Sequence, residues 1–279
     1  MILNQRSRSG RRFPTRLLIA GVIALISVVT YMSRKTTNPL TGKTQHISVS
    51  QDQEIAMGLQ AAPEMAAQFG GLSPDSAAQN LVDAVGGRLV AVLPEEAIDY
   101  PYDFHVLDDS KTVNAFALPG GQIFITAALL SKLETEGQLA GVLGHEIGHV
   151  VGRHSADRIA KAELTQGLVG AATMAGSDSQ MGAQSAQAVA SMVGNMVNLK
   201  YGRGDELESD RLGVRFMALG GYDPNSMKRV MEILRDASGG GSRQPEFASS
   251  HPDPGNRIAE IDSAIKELYP NGIPNGLKP

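Results

Sequence analysis

Residues 145–149 read His145-Glu146-Ile147-Gly148-His149, with two histidines four residues apart and a glutamate directly after the first. On a helix, side chains four residues apart lie one above the other, so both imidazoles can reach a single metal ion. The carboxylate between them is then placed to accept a proton from water at that metal. The pattern is typical of zinc peptidases, and it predicts a metal-binding helix.

The residues around this pattern predict that it lies on a helix. Thr135 fits the N-cap position, and Gln138 is expected to bond back to the N–H of Thr135 in a capping box. Apolar residues recur at spacings of three and four and form one stripe, which comprises Leu139, Val142, Leu143, Ile147, Val150 and Val151. His145 and His149 fall beside this stripe. The alternative is a surface helix that carries two solvated histidines.

Glycines recur along the same helix, at Gly141, Gly144, Gly148 and Gly152. Each interior glycine costs about 1 kcal/mol relative to alanine. We infer that another backbone packs closely against the helix at these positions. His154 follows on the apolar side, and we expect it to have a structural role or to support a metal ligand from behind.

The composition excludes several classes of function. The net charge of -4 leaves no broad basic surface for phosphates, which argues against nucleic acid as a partner. The absence of cysteine excludes disulfides, thiolate metal sites, a cysteine nucleophile and a lipoprotein anchor. A chain of 279 residues can form one sizeable domain with its own core.

The N-terminal region combines positive charge with an apolar run at 17–32, which follows Arg6, Arg8, Arg11, Arg12 and Arg16. This order is typical of a signal peptide or a signal anchor. Because no clear cleavage site of small residues follows, we favour an uncleaved anchor within residues 1–37. The arginines are then expected to stay in the cytoplasm, and an exported domain follows over residues 38–279.

The remaining patterns predict an α+β fold that is mainly helical. Strands are predicted at 102–107, 112–118 and 122–126, and the last two flank the turn Pro119-Gly120-Gly121. Further helices are predicted at 53–69, 77–93, 205–219 and 257–268. Residues 164–200 are rich in Ala, Gly, Ser and Met, and they fit either a mobile lid near the metal or a plain helical hairpin.

A hydrolytic zinc site needs a third protein ligand, and a downstream carboxylate is the best candidate because cysteine is absent. Glu206 and Asp210 lie four residues apart on one predicted helical face. One of them could bind the metal while the other orients a histidine. Glu208 is expected to point elsewhere. The alternative is that these charges form an ordinary solvated face.

The sequence as a whole resembles a known family, the membrane-associated zinc metallopeptidases. These include HtpX, the CAAX prenyl proteases, and the bacterial periplasmic and mitochondrial Oma-type quality-control proteases. Four stretches carry the resemblance in the family's order, at 114–121, 143–154, 206–210 and 250–257. Many relatives have serine at the position of Gly202. This difference does not affect the assignment of any ligand. With one hydrophobic segment, the chain looks nearest the bacterial periplasmic branch.

The resemblance implies a gluzincin-like domain with a small sheet whose edge strand flanks the active-site helix. It assigns one zinc ion per chain to His145, His149 and Glu206, with Glu146 as the base. Asp210 becomes a partner that orients a ligand. His251 or Arg257 is expected to stabilise the oxyanion, and His251 could instead occupy the open coordination position. The substrate would bind along the edge formed by Val113, Asn114, Ala115, Phe116 and Ala117.

The resemblance also implies an activity and a location. The expected function is hydrolysis of peptide bonds in unfolded or damaged exported and membrane proteins. The expected location is the bacterial cell envelope, anchored in the inner membrane with the catalytic domain in the periplasm, or secreted there if the N-terminal segment is cleaved. The alternative is a non-hydrolytic holdase or assembly factor that binds polypeptides through the edge strand. The oligomeric state is left open.

Overall fold

The computed structural model describes residues 15–97, 99–176, 201–238, 247, 251 and 255–279. The helices are α1 (Thr15–Ser33), α2 (Gln51–Gln68), α3 (Ser76–Val90), α4 (Ala127–Leu130), α5 (Glu136–Val151), α6 (His154–Gly176), α7 (Arg203–Leu219), α8 (Asn225–Ser238) and α9 (Arg257–Leu268). The strands are β1 (Lys35–Thr37), β2 (Thr44–His46), β3 (Asp103–Leu107), β4 (Ala115–Ala117) and β5 (Gln122–Thr126). The predicted fold class, α+β and mainly helical, is confirmed.

A three-stranded sheet has the order β3-β5-β4, with β3 parallel and β4 antiparallel to the central strand. The predicted strand at 112–118 is shorter in the structure, and it forms an edge of this sheet. Gly120 in the turn before β5 has φ +79°, and an added Cβ there would lie 2.4 Å from the Cα of Ile55. Only glycine therefore fits this turn against α2.

The metal helix α5 begins and ends close to its predicted bounds. The hydroxyl of Thr135 accepts a hydrogen bond from the N–H of Gln138 at 3.3 Å, as predicted. The other half of the predicted capping box is wrong, because the Gln138 side chain accepts from the N–H of Glu134 at 2.8 Å. Every residue from Gly137 to Val151 is buried, so the helix is enclosed on all sides and the surface-helix alternative is excluded.

The glycines of α5 bring a second helix unusually close, as predicted. A Cβ added at Gly144 would lie 3.3 Å from the Cα of Gly213 on α7, and one added at Gly148 would lie 2.9 Å from the carbonyl oxygen of Ser209. Gly141 faces the backbone of Met227 on α8 in the same way. Gly152 differs, since an added Cβ would meet the ring of His154. The approach of α7 brings Glu206 to the histidines of α5.

The segment between α1 and α2 packs against the peptidase domain. Strands β1 and β2 form an antiparallel hairpin. The side-chain amide of Asn38, in the turn of this hairpin, donates to the carbonyl oxygen of Val151 at 2.8 Å. Lys43 in the same turn reaches carboxylates of α7. The hairpin thereby ties the end of α1 to both helices of the metal site.

Helix α1 packs against α6. Within the described residues, α1 is the one helix that is both long and apolar enough to cross a membrane. Residues 164–176 of the expected lid are the second half of α6 and lie against α1. Residues 177–200 lie outside the described residues, so the lid stays a prediction for them.

Candidate metal centre

Two helices and one residue outside them bring four buried donor side chains together: His145 and His149 from α5, Glu206 from α7, and His251. The Nε2 atoms of the two α5 histidines lie 3.0 Å apart. Each of them lies 3.5 Å from an oxygen of Glu206. The Nδ1 of His251 lies 3.3 Å from Nε2 of His145 and 3.2 Å from Oε1 of Glu206.

These separations fit a bound zinc ion. Zinc sites are tetrahedral with bonds of about 2.0–2.2 Å to histidine nitrogen and carboxylate oxygen, which places neighbouring donor atoms about 3.3–3.5 Å apart. The donor atoms of His145, His149 and Glu206 converge at distances of 3.0 to 3.5 Å. Two imidazoles and one carboxylate are also a ligand set that zinc favours at catalytic sites. The three predicted ligands are therefore brought together in an arrangement that suits the metal.

His145 is oriented by a carboxylate and an arginine. Its Nδ1 lies 2.9 Å from Oδ1 of Asp210, which follows Glu206 by one helical turn. Arg257 binds Asp210 with two hydrogen bonds, at 2.6 and 2.7 Å. Burial opposes a charged imidazole, but the hydrogen bonds to Asp210 and Glu206 outweigh it and raise the pKa of His145 to about 9. Asp210 thus lies where its predicted role requires.

Arg257 lies beside the predicted site, yet its guanidinium is held by carboxylates. Besides its two bonds to Asp210, its Nη1 lies 3.3 Å from Oε2 of Glu206. The side chain is 4% exposed. These contacts favour a role in holding Asp210 and Glu206 in place over the oxyanion role that the resemblance allows.

His149 is oriented by a longer chain of contacts, in which His154 supports a ligand from behind, one of the two roles expected of it. Its Nδ1 lies 2.9 Å from Nδ1 of His154, and Nε2 of His154 lies 2.9 Å from Glu208. Lys43 lies 2.9 Å from the same Glu208 oxygen. Burial opposes ionisation, but the hydrogen bonds to His154 and Lys43 lower the pKa of Glu208 to about 2. Tyr201 stacks on the His149 ring with centroids 3.8 Å apart.

Glu146 is fully buried beside the donor set, and neither oxygen of its carboxylate has a hydrogen-bond partner. Nε2 of His251 lies 3.7 Å from Oε1 of Glu146. Burial raises the pKa of Glu146 above its usual range. A buried carboxylate without a partner is costly, so its retention here needs an explanation. A proton-accepting role in the chemistry of the site supplies one.

His251 is buried against the other three donors. Its ring stacks on Phe247, with centroids 4.4 Å apart, and its N–H donates to the Phe247 carbonyl oxygen at 2.7 Å. The N–H of Phe247 in turn donates to the carbonyl oxygen of Val113 at 3.3 Å. One stretch of chain therefore touches both the donor set and the start of the predicted substrate edge. Both predicted roles of His251 remain open.

The predicted substrate edge is the strand β4, which contacts α5. Asn114 and Leu118 hydrogen-bond to the central strand through their backbones. Backbone groups alternate in direction along a strand, so those of Val113, Ala115 and Ala117 point away from the central strand. Asn114 is buried, and its side-chain amide has no hydrogen-bond partner. The five predicted residues thus lie on one edge next to the metal helix.

Comparison with known proteins agrees with this geometry. The model of peptidase family M48 matches residues 76–265. The beta-barrel assembly-enhancing protease of Yersinia pestis is 30% identical over 243 residues, covering 84% of this chain and 48% of its own. That of Escherichia coli strain K12 is 28% identical over 270 residues, covering 91% and 53%. The mitochondrial metalloendopeptidase OMA1 of Schizosaccharomyces pombe is 30% identical over 251 residues, covering 89% and 72%.

The chain spans about half the length of these bacterial relatives. The matched region includes α5 and α7, and with them His145, Glu146, His149 and Glu206. The resemblance predicted from four short stretches of sequence is confirmed. The chain belongs to peptidase family M48.

Proposed function

We propose that the chain is a zinc-dependent metalloendopeptidase that hydrolyses peptide bonds in unfolded or damaged exported and membrane proteins. The observation that carries this proposal is the unpartnered, buried carboxylate of Glu146 beside three converging metal donors. A holdase that only binds polypeptides has no need of such a carboxylate. Membership of a metallopeptidase family supports the same conclusion.

In the proposed reaction, His145, His149 and Glu206 hold one zinc ion. Bound there, zinc supplies Lewis-acid chemistry, which makes water a nucleophile near neutral pH and polarises a carbonyl group. Glu146 accepts the proton of the attacking water and then delivers it to the leaving amine. Its raised pKa makes it a stronger base than an exposed carboxylate.

The substrate is proposed to bind as an added strand along β4. The backbone N–H and C=O groups of Ala115 and Ala117 point to the open edge and can pair with an extended peptide. Such pairing recognises the backbone of the peptide and not its side chains. It therefore suits substrates that have only an unfolded state in common. Contact between β4 and α5 then brings the scissile bond toward the donor set.

His251 is proposed to be a fourth donor in a resting state. Its Nδ1 lies within 3.3 Å of donor atoms from both His145 and Glu206. At the same time, the backbone N–H of Phe247 donates a hydrogen bond to the carbonyl oxygen of Val113, at the end of the substrate edge. These two contacts support a form in which part of the chain covers the site until substrate displaces it.

The membrane location is also a proposal, supported by the apolar helix α1 and by the five arginines before its apolar run at 17–32. The arginines hold the N-terminus in the cytoplasm, which places the M48 domain in the periplasm of the bacterial envelope. A reporter that works only after export, fused after Asn38, should be active. A reporter active only in the cytoplasm at this position would reverse the orientation.

The peptidase proposal is tested with the purified full chain and unfolded casein. Cleavage is expected with zinc, is expected to stop with a chelator, and is expected to return when zinc is restored. Binding of casein without cleavage in every condition, including after His251→Ala, would favour the holdase. The His251→Ala variant separates a true holdase from a peptidase whose site is covered in its resting state.

A further inference from the structure

We infer that the second half of α6, residues 164–176, enters the lipid bilayer beside α1 as a second, partly inserted helix. The inference rests on the proposed membrane anchor and adds to it a second membrane contact from within the M48 domain. It is carried by the packing of the two helices, the distribution of charge along them and the nature of their exposed faces.

The two helices run antiparallel and touch closely. An added Cβ at Gly167 on α6 would lie 2.1 Å from Oγ of Ser27 on α1. Nearer the peptidase domain, Arg34, just after α1, forms an ion pair with Glu163 of α6. Going back along α1 from Arg34 to Ser27 therefore corresponds to going forward along α6 from Glu163 to Gly167. The second half of α6 follows α1 toward its N-terminal end.

Beyond this ion pair, charge is absent from the second half of α6 and from all of α1 except Arg16 in its first turn. On α1, no charged residue lies between Arg16 and Arg34, and on α6 none follows Glu163 up to the helix end at Gly176. The last charges of the two helices thus pair at one level, which we assign to the membrane surface. Thirteen residues at 1.5 Å per residue give a length of about 20 Å, which is two thirds of a hydrocarbon core of about 30 Å.

The outer faces of both helices are apolar. Leu168 and Val169 on α6 are 39% and 58% exposed, and on α1 Val22 and Leu25 are 54% and 63% exposed. Small residues lie between the two helices, with Ala20 of α1 and Ala171 of α6 buried. Small residues inside and large apolar residues outside are typical of helix pairs in lipid, and they are the reverse of a pair exposed to water.

Three hydroxyl groups in this region are satisfied within their own helices. Ser27, Thr165 and Thr173 each donate to the carbonyl oxygen four residues earlier, at 2.9 Å in each case. In a bilayer no water is available for such groups, so internal hydrogen bonds remove the cost of burying them. Thr165 and Gln166 lie within one turn of Glu163, at the level of the head groups.

A position for the metal centre follows from this arrangement. Helix α6 begins at His154, which contacts the proposed ligand His149. Glu163 lies nine residues further along, so the start of α6, beside the centre, is about 14 Å along the helix from the assigned membrane surface. The substrate class that suits this position is a polypeptide segment that emerges at the bilayer surface.

The chain contains neither cysteine nor tryptophan, so single probes can be introduced without background. Val169→Cys tests α6, Leu25→Cys tests α1, and Leu59→Cys on α2 is a matched control, because Leu59 is 54% exposed on the peptidase domain. Open membrane fragments that carry the full chain are treated with a charged maleimide, and total thiol is measured after denaturation. Leu59→Cys should react rapidly, and both other variants should react at least tenfold more slowly.

The outcomes distinguish the insertion of α6 from the membrane anchor α1. Reaction of Val169→Cys at the rate of Leu59→Cys, with Leu25→Cys protected, overturns the inference and leaves the anchor intact. Rapid reaction of Leu25→Cys overturns the anchor and the inference together. Val169→Trp in vesicles with brominated acyl chains distinguishes lipid from a protein cover. Strong quenching is expected, and absence of quenching with a protected thiol would mean that protein covers this face.

Discussion

Gly148 on α5 lies so close to Ser209 on α7 that an added Cβ would stand 2.9 Å from the Ser209 carbonyl oxygen. The contact sits between the proposed ligands, because His149 follows Gly148 directly and Glu206 precedes Ser209 by three residues. The spacing of the helices at this point therefore sets the distance between the histidine and carboxylate ligands.

The first prediction concerns this contact. Gly148→Ala should push α7 away, lower the free energy of unfolding by about 1–3 kcal/mol, and weaken zinc binding. Gly87→Ala on α3 is the matched control, since an added Cβ there meets nothing within 4 Å. It should raise the free energy of unfolding by about 0.5–1 kcal/mol, because glycine is unfavourable within a helix. Denaturant unfolding measures both, and a neutral Gly148→Ala would contradict the tight approach.

The second prediction distinguishes the roles of Glu206 and Glu208 on α7. Glu206→Ala should abolish zinc binding, because it removes a donor. Glu208→Ala should still bind zinc, but about 10–100-fold more weakly, because Glu208 supports His149 only through His154. Zinc affinity is measured by competition with a chelator, with the exposed Glu232→Ala as control. Equal loss in the Glu206 and Glu208 variants would show that the assigned helical register is wrong.

Much of this site was predictable from local sequence. The histidine spacing fixes the face of α5, its glycines require a close neighbour, and the four-residue spacing of Glu206 and Asp210 places both carboxylates on one side of α7. Local patterns could not predict that α5 is enclosed on all sides. The apolar stripe marks one buried face, whereas the glycine face is buried by the backbone of α7 and bears no hydrophobic signal.

The support of His149 depends on contacts that are distant in sequence. Lys43 reaches Asp205 across 162 positions, and no periodicity in a polar turn indicates such a partner. The spacing of His154 from His149 was visible, but its contact with Glu208 requires the fold. The packing of α1 on α6 was hidden for a similar reason, because the first half of α6 carries charges that mask the uncharged second half.

The third prediction concerns His251. Its Nδ1 lies among the other donors, so His251→Ala should free a coordination position and raise casein turnover while zinc content stays unchanged. His105→Ala, outside the donor cluster, is the control. A fall in turnover at full zinc content would instead assign His251 to stabilisation of the transition state.

The fourth prediction tests the substrate edge. Ala117→Pro removes an N–H that points to the open edge of β4, so the sheet should persist while the Michaelis constant for unfolded substrate rises. Phe116→Pro is the matched control, because its N–H faces the central strand and its loss should destabilise the fold. Unchanged kinetics in a folded Ala117→Pro variant would contradict substrate binding by strand addition.

The most direct test of the central claim is Glu146→Gln, which keeps the shape of the side chain and removes its basicity. The proposed ligands are untouched, so metal analysis should find about one zinc per chain, as in the unaltered protein. Casein cleavage by the same preparation should fall by at least about 100-fold, in line with the loss of a general base. Full zinc content with undiminished cleavage would contradict the role of Glu146, and with it the proposed mechanism.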